Sequence, residues 1–190
     1  MEPPEDLSYA TLRTARLVLE PLRAHHGEGL WAAVQASLED LHEWMPWARP
    51  PRRADTLRMA ADGADEWYRR STMSFAVLFE KEVIGVVALK TFRPLQASAE
   101  IGYHLRSDLK GQGLMTEAVQ AVLGYAFEEE ELHRVELHAA VGNQGSIRVA
   151  EKNGFTRTGI ARLADPAPEG WRDLIVFDLL AAEFRQAQKL

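Results

Sequence analysis

Residues 99–126 limit what this chain can fold into more than any other stretch. Ala99-Glu100-Ile101-Gly102-Tyr103-His104-Leu105 reads as a strand, and Met115, Ala118, Val119, Val122, Leu123 and Ala126 then recur at helical spacing. Between them Gly111 and Gly113 stand one residue apart. A strand that runs through a glycine loop into a helix must bring both ends to one place. The first N–H groups of that helix have no partner within it, and its dipole leaves partial positive charge there. Glycine lets the backbone approach a phosphate with no side chain in the way. The stretch therefore predicts an anion cradle suited to a pyrophosphate.

Three motifs compete for this loop. A P-loop requires Gly-Lys-Ser/Thr, which the chain lacks. The dinucleotide fingerprint G-x-G-x-x-G fails at its third glycine, where Thr116 stands, although Glu136 lies 20 residues beyond it. That fingerprint also belongs in a βαβ unit, whereas the preceding strands read as antiparallel hairpins. The third pattern is Gln/Arg-x-x-Gly-x-Gly/Ala, the acetyl-CoA loop of the GNAT N-acetyltransferase superfamily. Lys110-Gly111-Gln112-Gly113-Leu114-Met115 resembles it, with Lys110 keeping a charged donor and Met115 replacing a small residue. Met115 must then turn into the core. Read without the resemblance, the loop is a glycine turn before an amphipathic helix.

Val141-Gly142-Asn143-Gln144-Gly145-Ser146-Ile147-Arg148-Val149-Ala150-Glu151-Lys152-Asn153-Gly154-Phe155 resembles the superfamily's second conserved stretch. It takes the form N-x-x-S-x-r-v-x-e-K-x-G-F, typical of the ribosomal-protein N-terminal (RimJ/RimL-type) acetyltransferase branch. Trp44-Met45-Pro46-Trp47 resembles a W-x-P-W segment of the same branch. The resemblance spans roughly Thr14 to Leu180. It implies an α+β fold: a mixed, mostly antiparallel sheet with splayed central parallel strands and flanking helices.

The remaining chain agrees with that class. At 190 residues one domain is expected, residues 13–190, preceded by an acidic, Pro-rich mobile tail over 1–12. Strands are expected at Arg16–Pro21, Ser74–Glu80, Val83–Leu89, Ser98–Leu105, Arg134–Val141, Phe155–Leu163 and Trp171–Leu179. Helices are expected at 24–37, 38–44, 55–70 (capped by Asp55), 114–129, 144–152 (capped by Asn143) and 181–189. Glu128 to Glu131 reads as a solvated helix end. The net charge of −6 argues against a nucleic-acid partner and permits attraction to amines or basic peptides. No cysteine is present, which excludes disulfides, thiolate metal sites and a cysteine acyl-enzyme. No apolar run is long enough to span a membrane, the first residues lack a signal-peptide core, and the cytoplasm is the expected location. Whether the protein is a homodimer is left open.

Acyl transfer to an amine needs a neutral amine, a positioned thioester, a stabilised oxyanion and a proton for the thiolate. An α-amine, with pKa about 7.7–8.0, is roughly one-tenth neutral at pH 7, whereas a lysine near 10.4 is almost wholly charged. The resemblance implies acetyl-CoA as co-substrate, no metal, and site residues on the matching positions. Glu100, on the strand entering the loop, is the candidate base and acceptor contact; the alternative is an ordinary exposed strand glutamate. Main-chain groups of Tyr103, His104, Leu105 and Arg106 are expected to hold the pantetheine arm and polarise the thioester carbonyl. Gly111, Gln112, Gly113, Leu114, Met115 and Thr116 form the pyrophosphate loop. Ser146 is the candidate proton donor to the thiolate, against a first-turn serine serving backbone N–H groups. Asn143 is read as cap, cofactor contact or both; Arg148 and Lys152 lie four apart and can meet a CoA phosphate, against a solvated helix face for at least one of them. Trp44 and Trp47, with Trp171, are candidates to line the acceptor site, against plain core packing. The histidines show no ligand spacing. The leading reading is an acetyl-CoA-dependent N-acetyltransferase acting on a primary amine, most simply a peptide or protein N-terminus. A small-amine acetyltransferase, a non-catalytic acyl-CoA-binding module and a nucleotide-binding protein are its rivals.

Overall fold

The computed structural model describes residue 7 and residues 10–45, 51–167 and 170–189. In chain order these give β1 (Leu12–Arg13), β2 (Leu17–Pro21), α1 (Gly27–Gln35), α2 (Leu38–Trp44), α3 (Arg53–Tyr68), β3 (Thr72–Phe79) and β4 (Glu82–Arg93). There follow β5 (Ser98–Leu105), α4 (Leu114–Glu128), β6 (Arg134–Ala140), α5 (Gln144–Lys152), β7 (Thr156–Ala167), β8 (Gly170–Leu180) and α6 (Ala181–Ala187). Among the described residues the strands form one eight-stranded sheet, in the order β1-β2-β3-β4-β5-β6-β8-β7.

Neighbours are antiparallel except β5 and β6, and that exception makes the site. β5 pairs with β6 only through Ser98–Ile101 against Arg134–Leu137. Beyond that point β5 continues to Leu105 and β6 to Ala140 without partnering each other. The Arg106 N–H donates to the Ile84 carbonyl at 2.8 Å, which fixes the phase of the β4 ladder. Alternation then turns the main-chain groups of Tyr103 and Leu105 away from β4 and into the gap.

Strand alternation also sorts the core. Phe75 and Val77 face α4 and pack with its Val119, Val122, Leu123 and Ala126; Ala76 faces the other way and joins Leu22, Leu30 and Ala60 under α1 and α3. The central strands are thus packed on both faces, whereas β7 at the edge is mostly exposed.

Four expectations need correction. The tail is not free at its described positions: Leu7 is 1% exposed, Ala10 is fully buried, and Leu12 pairs with Leu19. Apolar residues at 7, 10 and 12 find core partners that an acidic, Pro-rich composition conceals. α3 begins at Arg53, so Asp55 lies in its first turn, paired with Arg58, and is not the cap. β4 and β7 run longer than read, because their exposed ends still pair. Glu130 is not solvated: its side chain is 9% exposed, ion-paired to Arg70 and accepting from Tyr125 Oη at 2.8 Å.

β7 forms the outer edge of the sheet. Its ladder to β8 shifts register twice, between Arg157 and Gly159 and between Ala161 and Asp165. In the second break Leu163 turns to φ +49° and donates its N–H to the Asp173 carboxylate at 2.8 Å.

Candidate active site

The glycine loop folds as its composition requires. Gly111 and Gly113 both sit at φ +79°, and Gly113 is the residue from which α4 starts. Among the described residues no side chain caps α4, so its first N–H groups are left unpartnered. The loop is clamped from β1–β2, which sequence reading missed. Arg16 donates to the Gln112 carbonyl at 3.0 Å and to the Glu117 carboxylate at 2.7 Å, and Thr14 donates to the same carboxylate at 2.5 Å. Burial alone would raise the Glu117 carboxyl; these donors outweigh it and hold it below its ordinary value.

A cavity of about 480 Å³ opens between the splayed strand ends and this loop. Two helix N-termini meet at it, α4 through Gly113–Thr116 and α5 through Asn143–Ser146. Lys110, Arg148 and Lys152 supply positive charge on its wall. Asn143 Oδ1 accepts from the Ser146 N–H at 3.0 Å and so caps α5. The Ser146 hydroxyl lies 2.8 Å from Tyr103 Oη. Burial pushes the Tyr103 phenol up to about 12, against a downward pull from Ser146. Burial likewise brings the His104 imidazole down to about 4, so it lines the cavity as a neutral ring.

α2 bridges the cavity mouth, tied at both ends. Asp40 accepts from Lys110 Nζ at 2.6 Å and from the Ser107 hydroxyl, while Ser37 Oγ accepts from the Ser107 N–H at 3.0 Å. At the other end Arg172 of β8 donates to the Glu43 and Trp44 carbonyls at 2.6 and 3.0 Å, and its guanidinium lies 5.2 Å from the Trp44 ring centroid. Asp165 holds Arg172 at 2.5 Å.

Most sequence-derived candidates converge here. Trp44, His104, Leu105, Gly111, Gly113, Leu114, Met115, Thr116, Asn143 and Ser146 all line the cavity, with Met115 mostly buried in the core. Glu100 does not. It sits where β5 is still paired, opposite Glu136 and one residue short of the end of that pairing, and its carboxylate is bound to Lys90 Nζ at 3.0 Å. Arg106 is also outside, its guanidinium spent on Asp108 and Glu82 at 2.8 and 3.1 Å. Gln112 contributes its carbonyl to Arg16 and does not line the wall. Trp171 is 62% exposed and away from the cavity, and Trp47 lies outside the described residues. The carboxylates on the wall, among the described residues, are Asp40 and Asp165.

Glu20, His25 and His26 come together elsewhere in a group with metal-ligating atoms. His26 Nδ1 accepts from the Arg23 N–H at 3.1 Å, so its proton is on Nε2, 3.0 Å from Glu20. A ring with both nitrogens so engaged has no lone pair for an ion.

Residues 16–156 match the family described as "Acetyltransferase (GNAT) domain". The chain is 33% identical over 173 residues to the Bacillus subtilis (strain 168) protein named "Putative ribosomal N-acetyltransferase YdaF", covering 90% of this chain and 92% of that one. It is 26% identical to the "Ribosomal-protein-serine acetyltransferase" of Escherichia coli (strain K12), over 85% of this chain and 90% of that one. Its fold superposes on RimL, a ribosomal L7/L12 alpha-N-protein acetyltransferase solved with coenzyme A, at TM-score 0.85 and 21% identity, over 91% of this chain and 99% of RimL. The splay, the two helix N-termini and the family match coincide on one cavity, and the chain belongs to the GNAT acetyltransferase family.

Proposed function

We propose that this acetyltransferase carries the acetyl group of acetyl-CoA to a primary amine, specifically a protein or peptide N-terminal α-amine, by direct attack of the amine on the thioester. The observation that carries the reading is the single cavity in which the splay, the glycine cradle and the Ser146 hydroxyl meet. The N–H groups at the start of α4 receive the pyrophosphate, and the loop leaves room for it: among the described residues a Cβ on Gly111 would meet nothing within 4 Å. Main-chain groups of Tyr103 and Leu105 bond the pantetheine arm and polarise the carbonyl. Ser146 faces the departing sulfur. With no cysteine in the chain, attack without a cysteine acyl-enzyme is the economical route.

Amine pKa and the similar proteins both favour an α-amine acceptor. An α-amine is already about one-tenth neutral at pH 7, so a weak proton acceptor suffices. Both carboxylates on the described wall are engaged, Asp40 by Lys110 and Ser107 and Asp165 by Arg172, so water is the proton acceptor this reading requires. Ribosomal-protein acetylation in the names of two similar proteins favours a protein N-terminus and, with it, a cytoplasmic location. No described helix is long and apolar enough to cross a membrane.

Thiol release from acetyl-CoA, measured with Ala- and Ser-starting peptides beside polyamines and small amines, tests the proposal. Peptide-dependent release with acetylation mapped to the α-nitrogen supports it. Release with small amines alone would move the function to a small-molecule acceptor. Coenzyme A binding without turnover on any amine would leave a binding module.

A further inference from the structure

We propose that Tyr103 is a positioning residue for acyl transfer: its phenol O–H donates to Ser146 Oγ and leaves the Ser146 proton free to point into the cavity at the departing sulfur. This rests on the acetyl-transfer reading above and extends it to a residue that the sequence motifs leave out.

Three observations meet at this pair. First, Ser146 occupies the opening turn of α5, where a serine hydroxyl ordinarily serves a backbone N–H. Here Asn143 has taken that place, accepting from the Ser146 N–H at 3.0 Å. The Ser146 hydroxyl instead lies 2.8 Å from Tyr103 Oη. Second, the two side chains come from the two arms of the splay, Tyr103 from β5 and Ser146 from the helix that follows β6, and both line the cavity. The bond therefore spans the gap beside the main-chain groups of Tyr103 and Leu105. Third, the phenol has a choice of acceptors, Ser146 Oγ at 2.8 Å or the Ser146 carbonyl at 3.4 Å, and the shorter is the better hydrogen bond. A serine oxygen that accepts from the phenol keeps its own proton for another partner.

The buried phenol holds its proton too firmly to give it away. Its pKa is pushed up to about 12 by burial, against about 8.5 for an ordinary thiol. The pair therefore steers and stabilises developing charge on sulfur and does not ionise. The balance closes without it: the acceptor nitrogen's lone pair makes the C–N bond, the C–S electron pair leaves on sulfur, and the proton shed by nitrogen reaches sulfur through solvent.

The experiment compares Tyr103→Phe, Ser146→Ala and the double variant in steady-state thiol release, with coenzyme A affinity by calorimetry and melting temperature as controls. Phenylalanine keeps the ring that packs on the core. Tyr103→Phe is expected to lower kcat about tenfold with KM for acetyl-CoA within about twofold of wild type. Because Tyr103 acts through Ser146, the double variant is expected to be no slower than Ser146→Ala alone. Multiplying losses, or an unchanged kcat in Tyr103→Phe, would overturn the inference. A lowered melting temperature with kcat unaltered would make Tyr103 structural and overturn it as well. A wild type without turnover on any amine would instead overturn the acetyl-transfer reading, and this inference with it.

Discussion

Gly113→Asp separates the cradle's folding from its binding. The residue sits at φ +79° and ψ 1°, left-handed backbone that costs an ordinary L residue about 1–2 kcal/mol and aspartate less. A Cβ there would lie 3.6 Å from Arg16 Nη2 and touch nothing else within 4 Å. The new carboxylate would gain from that guanidinium and, by about 0.3–1 kcal/mol, from the positive end of α4. Folding should therefore change by about 1 kcal/mol or less, no more than a typical point substitution. Binding should suffer far more. A carboxylate about 5 Å from one phosphate charge, at an effective dielectric near 20, costs about 3 kcal/mol, more than about a hundredfold in affinity. Calorimetry of coenzyme A binding, with a melting curve for each variant, reads both effects. Gly113→Ala controls for bulk and backbone strain and should lose much less affinity. A folded Gly113→Asp protein that binds coenzyme A within about threefold of wild type would refute the placement of the pyrophosphate on this loop.

Other outcomes follow from the same contacts. Leu7→Ala should cost about 2–4 kcal/mol in chemical denaturation, since the side chain is 1% exposed; a neutral result would show that residue 7 does not belong to the core. Arg172→Ala removes two bonds to α2 carbonyls and should destabilise by about 2 kcal/mol, with KM for the acceptor raised more than KM for acetyl-CoA; equal changes in both would deny α2 its place over the acceptor end. Glu117 has a depressed carboxyl pKa in the folded state. The stability it contributes is fully present above the unfolded value of 4.5 and is lost as pH falls through the folded one. Melting temperature of Glu117→Gln against pH should then show a smaller acid decline than wild type below about pH 4.5. Glu100→Gln should leave kcat for peptides unchanged, measured at saturating acetyl-CoA; a large loss would return the proton-accepting role to Glu100.

What could be read from the sequence was local. α5 and its Asn143 cap, β5, and the glycine loop rest on neighbours within a few positions, and each is found at or near its expected bounds. Contacts between distant segments were not readable. Arg16 and Glu117 are 101 positions apart, and Tyr103 and Ser146 are 43 apart, so neither pairing leaves a mark in any window of the chain. Glu100 shows a second limit. Its place on the right strand could be seen, but the point where β5 leaves β6 could not, and Glu100 falls on the paired side of it. Leu7 was missed because burial depends on what packs above a residue, and the acidic composition of its surroundings pointed the other way.

The broken ladder of β7 also bears on how the molecule behaves among copies of itself. A twelve-residue edge strand offers a row of N–H and C=O groups onto which another chain's strand can crystallise, the first step of runaway assembly. Here the two register shifts interrupt the row, and Leu163 has already given its N–H to Asp173. An incoming strand would find a template that changes phase partway along. The irregularity that spoils the regular hairpin thus guards a crowded solution against sheet-to-sheet growth from this side.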